Sequence, residues 1–149
     1  MRRRWAVPFL LLALGVLAAA LALRTPPPLP ADAPPHLFSA AVGLSGRYDA
    51  RAFTNGWSED GVYFSDPLAY VWNLHGPALA EIRRHTHITL VCGQGNFEGR
   101  CLPETYRLAD ALRDRGIPHW RDIWGRDVSH EWHWWRRQIR YHVLQRVDR

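Results

Sequence analysis

IPHWRDIWGRDVSHEWHWWRR, residues 117–137, decides how the chain folds. Residues 117–124 are predicted as a strand, because the run is short, carries large apolar side chains and is bounded by Gly116 and Gly125. Residues 131–146 are predicted as a helix. Ser129 is the expected N-cap, since its hydroxyl can accept a free amide, and Glu131 places negative charge in the first turn. Trp132, Trp135, Ile139, Val143 and Arg146 follow at spacings of three and four, which predicts one face of apolar rings and aliphatic stems. His130 then stands in a strand-to-helix loop, where a rigid scaffold can present an imidazole to a site. Taken alone, such a histidine is more often a residue that simply hydrogen-bonds backbone.

The pattern upstream repeats the alternation. Residues 103–115 form an amphipathic stretch with Tyr106, Leu108, Ala109, Ala111 and Leu112 inward, stopped by Gly116. Before it, HITLVC (87–92) has the length and β-branched content of a buried strand, and its exit GQGNFEGRC (93–101) holds a single acid, Glu98. A short helix opening at Pro77 covers residues 77–84, and residues 38–44 form an earlier compact strand. Residues 51–74 are aromatic-rich and irregular in pattern. The fold class expected is α/β, with a parallel sheet and flanking helices. Parallel strands joined by helices bring the Glu98 and His130 loops to the same end of the sheet.

Three stretches resemble a bacterial esterase family of the α/β-hydrolase superfamily, in the same order. GIPHWRDIWGRDVSHEWHWWRRQ (116–138) is similar to its "gIPh…W…gHdWpwWr" pattern, AVGLSGRYDARAF (41–53) to its "SMSGaydirrF" segment, and DGVYFSDPLAYVWNL (60–74) to its "nvYFnnPvdYlpNl" segment. The resemblance implies the C-terminal part of an α/β-hydrolase-like domain, over residues 37–149, and a small-molecule ester or acyl ligand. The order of functional residues in that superfamily is nucleophile, acid, histidine. The resemblance therefore implies catalytic roles for Glu98 as acid and His130 as base, with the acid fixing the imidazole tautomer and the imidazole taking the nucleophile's proton. Asp127, three residues before His130, is the alternative acid. The family usually carries aspartate at the acid loop, and this loop is about one residue longer, a departure that keeps both acids open.

The nucleophile has no counterpart. No G-x-S-x-G occurs in the 149 residues, and ALGVL (13–17) occupies the place where the resemblance expects the elbow. GLSG at 43–46 has its second glycine one position early, and the resemblance places Ser45 on the strand after the elbow, in a structural role. Cys92 ends a buried strand, so neither it nor Cys101 supplies an elbow.

Composition limits the partners. All 19 basic residues are arginine, against 14 acids, for a formal charge of +5. Arg2, Arg3, Arg4 and Arg24 flank the first apolar run, and without them the body is nearly neutral, which argues against nucleic acid as a partner. Residues 1–24 read as a signal peptide or membrane anchor, with an uncharged run close to the length of about 20 that spans a bilayer. That reading makes the protein membrane-anchored or secreted. GVLAAALALRTPP (15–27) also resembles the helix after the nucleophile in the same family, and on that reading residues 1–24 are an eroded core helix of a cytoplasmic protein. Residues 25–36, with TPPPLPADAPP at 25–35, form a proline-rich linker.

No cofactor motif is present. His130, Glu131 and His133 spell H-E-x-H, one residue short of the zinc pattern H-E-x-x-H, and His85 and His87 read as surface histidines, so no metal is expected. Cys92 and Cys101 are compatible with a disulfide in an exported protein or with free thiols. The rival to the esterase reading is a non-catalytic membrane-associated binding module, with the Trp and Arg of the last helix at a lipid or partner surface.

Overall fold

The structure, a computed structural model, describes residues 39–57 and 59–144. Expectations about residues 1–36, the signal or anchor and the linker, lie outside the described residues. Among the described residues, no helix is long and apolar enough to cross a membrane.

HITLVC forms the strand β2 (His87–Cys92), in which Thr89, Leu90, Val91 and Cys92 are all buried, as expected for a strand covered on both faces. β1 (Ala40–Leu44) and β3 (His119–Ile123) lie parallel on either side of it, in the order β1-β2-β3. The register runs from Ala40 opposite His87 to Leu44 opposite Val91, and from Ile88 opposite His119 to Cys92 opposite Ile123. All three strands therefore end at one edge, where Ser45, Gly93 and Trp124 leave the sheet.

The β1–β2 connection contains a 3-10 turn (Ala50–Ala52) and three helices, α1 (Asp60–Phe64), α2 (Pro67–Asn73) and α3 (Gly76–His85). The first two correct the expectation of an irregular segment over residues 51–74. Asp66 caps α2 by accepting from the Ala69 amide at 3.0 Å, and Pro67 fits the first turn, where no amide is needed. α4 (Cys101–Asp114) links β2 to β3 and begins two residues earlier than expected. Gly116 ends it in the left-handed conformation (φ 62°), and the Gly116 and Ile117 amides donate to the Arg113 and Leu112 carbonyls, both at 2.9 Å. This Schellman cap joins Ile117 to Leu112 in the core. Leu68 and Val71 of α2, Leu79 of α3, Leu108 and Leu112 of α4 and Leu90 of β2 complete that core.

α5 (Trp132–Ile139) and the π-helical turn after it (Arg140–Leu144) correct the last expected helix in two respects. The N-cap is Glu131, not Ser129, and no side chain caps the helix. The buried residues are Gln138 and His142, whereas Trp132, Ile139 and Val143 are exposed. His142 is drawn inward by Asp122 of β3, whose Oδ2 lies 3.0 Å from its Nε2 and also accepts from Trp124 Nε1 at 2.8 Å. A polar anchor from the sheet thus sets the inward face, and the wider π turn rotates the residues beyond Ile139 away from α-helical spacing.

Candidate active site

Two glycines shape the edge where the strands end. A side chain on Gly93 would place its Cβ 2.1 Å from the Val128 carbonyl oxygen, and one on Gly95 would lie 2.8 Å from the same group. Their absence lets the β3–α5 loop lie directly on the β2–α4 loop. Backbone bonds then join the two: Gly95 N donates to Val128 O at 2.8 Å, and His130 N donates to Asn96 O at 3.0 Å. Glu98 and His130 are consequently brought face to face.

Glu98 is 1% exposed, and its Oε2 lies 3.6 Å from Nδ1 of His130, whose side chain is 33% exposed. The carboxyl is held from other directions as well. Ser45 Oγ donates to Oε1 at 2.6 Å and Cys92 Sγ donates to Oε2 at 3.2 Å. Trp135 Nε1 in turn donates to Ser45 Oγ at 3.3 Å, and the Trp135 ring meets the His130 ring edge-on with centroids 4.7 Å apart. Cys101, the first residue of α4, places Sγ 3.7 Å from the same Nδ1. Both polar contacts on the ring are thus at Nδ1.

Asp127, the alternative acid, is exposed, and no hydrogen bond or ion pair joins it to His130; its carboxyl lies beside Gly125 in the turn after β3. Glu98 is the acid that the fold brings to the imidazole. His133 pairs with Glu131 at 3.2 Å on the surface, and His85 lies 3.4 Å from Glu81 on α3, so neither joins the cluster.

The thiols are free, and both are buried. Burial, reinforced by the hydrogen bond and charge of Glu98, pushes the Cys92 thiol from the ordinary 9.0 up to about 12. Burial and then the charge of Glu98 also raise Cys101. A thiol held protonated is a poor nucleophile at neutral pH, so neither cysteine stands in for a serine.

Two contacts around the pair do not follow from sequence spacing. Ser45, expected in a structural role, holds the acid through its hydroxyl, with its backbone at φ 46° where non-glycine residues are strained. Its signal was position: it follows the strand that neighbours β2 and so leaves the sheet beside the acid loop. Trp135, expected on the apolar face of the last helix, bridges Ser45 and His130 from that helix.

No family model matches the chain, and no curated protein matches it. A solved structure of a ferulic acid esterase superposes with a TM-score of 0.54 at 20% sequence identity, over 70% of this chain and 39% of that one. The chain thus spans well under half the length of that esterase, and the likeness is one of fold. The described residues share with part of a ferulic acid esterase a mixed α/β fold, in which helices flank a parallel sheet and the strands end at a common edge.

Proposed function

We propose that this chain carries the acid and base of an esterase-like α/β hydrolase acting on small carboxylic esters, and that by itself it lacks ester turnover. The observation that carries the reading is the 3.6 Å approach of buried Glu98 to Nδ1 of half-buried His130, from two loops at the carboxyl edge of a parallel sheet. An acid on Nδ1 orients the ring and stabilises its charged form, which leaves Nε2 to exchange a proton with a reacting group. The fold shared with a ferulic acid esterase is in keeping with this ancestry. The missing part is the nucleophile, since no G-x-S-x-G occurs in the sequence and the nearby thiols are held protonated. Acid and base without a nucleophile supply only part of the rate. The test is hydrolysis of a short-chain nitrophenyl ester by the full chain. The expected rate equals background; a rate above background that His130→Ala abolishes overturns the proposal.

The second reading, a non-catalytic module at a membrane surface, is supported by one observation. Trp132, Ile139, Val143 and Leu144 are exposed on the last helical segment, close in sequence to Arg136, Arg137 and Arg140. Co-sedimentation with anionic lipid vesicles that Trp132→Ala weakens would favour it over the hydrolase.

A further inference from the structure

Glu98, Cys101 and His130 present one carboxyl oxygen, one sulfur and one imidazole nitrogen that all lie within 4.8 Å of one another. We propose that these three residues bind one divalent cation of the zinc type, through Glu98 Oε2, Cys101 Sγ and His130 Nδ1. The ligands follow none of the familiar spacings: Glu98 and Cys101 sit three apart across a loop-to-helix junction, and His130 comes from the next such loop.

The distances fit such an ion. A tetrahedral zinc with bonds of about 2.3 Å to sulfur and about 2.0–2.2 Å to nitrogen and oxygen puts its ligand atoms roughly 3.3–3.6 Å apart. Here Nδ1 lies 3.6 Å from Oε2 and 3.7 Å from Sγ, close to that range on the two edges at the imidazole, and the carboxyl oxygen and sulfur lie within 4.8 Å of each other, an edge that a bound cation would draw in. The donor set of thiolate, imidazole and carboxylate suits zinc or cobalt rather than magnesium or calcium, which favour oxygen alone. Supports for the ligands are already in place. Ser45 holds Oε1, which turns Oε2 toward the cluster, and the edge-on Trp135 ring fixes the His130 plane. Glu98 and Cys101 are buried while the His130 side chain is one-third exposed, so the open side is where a water would complete the coordination.

Binding forms the sulfur–metal bond as the Cys101 thiol releases its proton to solvent and the cation sheds waters. The ion takes Nδ1 and Oε2 together, the same atoms that would act as a hydrolase's acid and ring partner. Metal binding and acid–base use of the pair are therefore mutually exclusive. The proposal stands on ligand geometry and not on the hydrolase reading, and its readout is optical, so the two fail separately.

The experiment titrates the full chain with Co2+ alone and then displaces it with Zn2+. The expected result is one Co2+ per chain, tetrahedral d–d bands in the visible and a thiolate-to-cobalt charge-transfer band in the near ultraviolet, all bleached by Zn2+. Cys101→Ser should remove the charge-transfer band, and Glu98→Gln and His130→Ala should weaken affinity by about tenfold or more. Circular dichroism confirms that each variant is folded. Absence of the charge-transfer band in the wild-type chain overturns the proposal without need of any variant, and so does its survival in Cys101→Ser.

Discussion

Ser45 joins two roles at one residue: its hydroxyl holds the buried Glu98 carboxyl at 2.6 Å, and its backbone is left-handed at φ 46°. Hydrogen bonds to charged groups contribute about 1.5–3 kcal/mol, so Ser45→Ala should lower stability by about 2 kcal/mol in urea unfolding. Ser45→Gly loses the same bond but relieves the backbone, by roughly 1 kcal/mol, and should be the more stable of the two. The reverse order would show that the left-handed backbone at Ser45 carries no strain that glycine relieves. Cys92 sets an alkaline limit. Its folded-state pKa is raised from 9.0 to about 12, so the unfolded chain gives up this proton first. Stability should be unaffected by this group below 9.0 and should fall as the pH rises from there through about 12. Tyr48, raised by burial and the neighbouring Cys92 from 10.0 to about 12, steepens the upper part of that fall. Urea midpoints for Cys92→Ala should decline less steeply over this window than those of the wild type; parallel curves would count against the buried thiol as the cause.

At the scale of elements, two fastenings hold the site edge together. Glu104 of α4 binds the chain after β1, accepting from Arg47 Nε at 2.8 Å and from the Tyr48 and Asp49 amides at 2.6 and 3.1 Å. Gly93 lets the His130 loop sit against the Glu98 loop. Gly93→Ala forces a Cβ to 2.1 Å from the Val128 carbonyl oxygen, which backbone cannot yield without moving the loop. A loss of about 1–3 kcal/mol is expected, and amide exchange at His130 should accelerate as its bond to Asn96 breaks; wild-type protection at His130 would contradict this. β2 and α4 were legible in the sequence because their length, branching and periodicity settle them locally. α1 and α2 were not, since helices this short draw their stability from packing and not from propensity. The inward face of α5 was hidden for a different reason. Trp occurs on both sides of that helix, and the choice between them is made by Asp122 on the preceding strand β3 meeting His142.

On the scale of the whole molecule, the parallel order β1-β2-β3 turns three sequence-distant loops into one site. The meeting of the Glu98 and His130 loops could be anticipated from strand-helix alternation alone. The parts that alternation does not encode are the contacts made around the pair, Ser45 and Cys101 above all, because they depend on which side chains the loop ends turn inward. Together these contacts define the central claim: Glu98 and His130 form one interacting pair. A double-mutant cycle tests it most directly. Stabilities of the wild type, Glu98→Gln, His130→Ala and the double variant are measured by urea unfolding with chelator present, so that no cation contributes. Residues in direct contact couple by about 0.5–3 kcal/mol, and a coupling in that range is predicted. Strictly additive effects, within about 0.3 kcal/mol, would mean that the acid and the imidazole do not sense each other and would contradict the account.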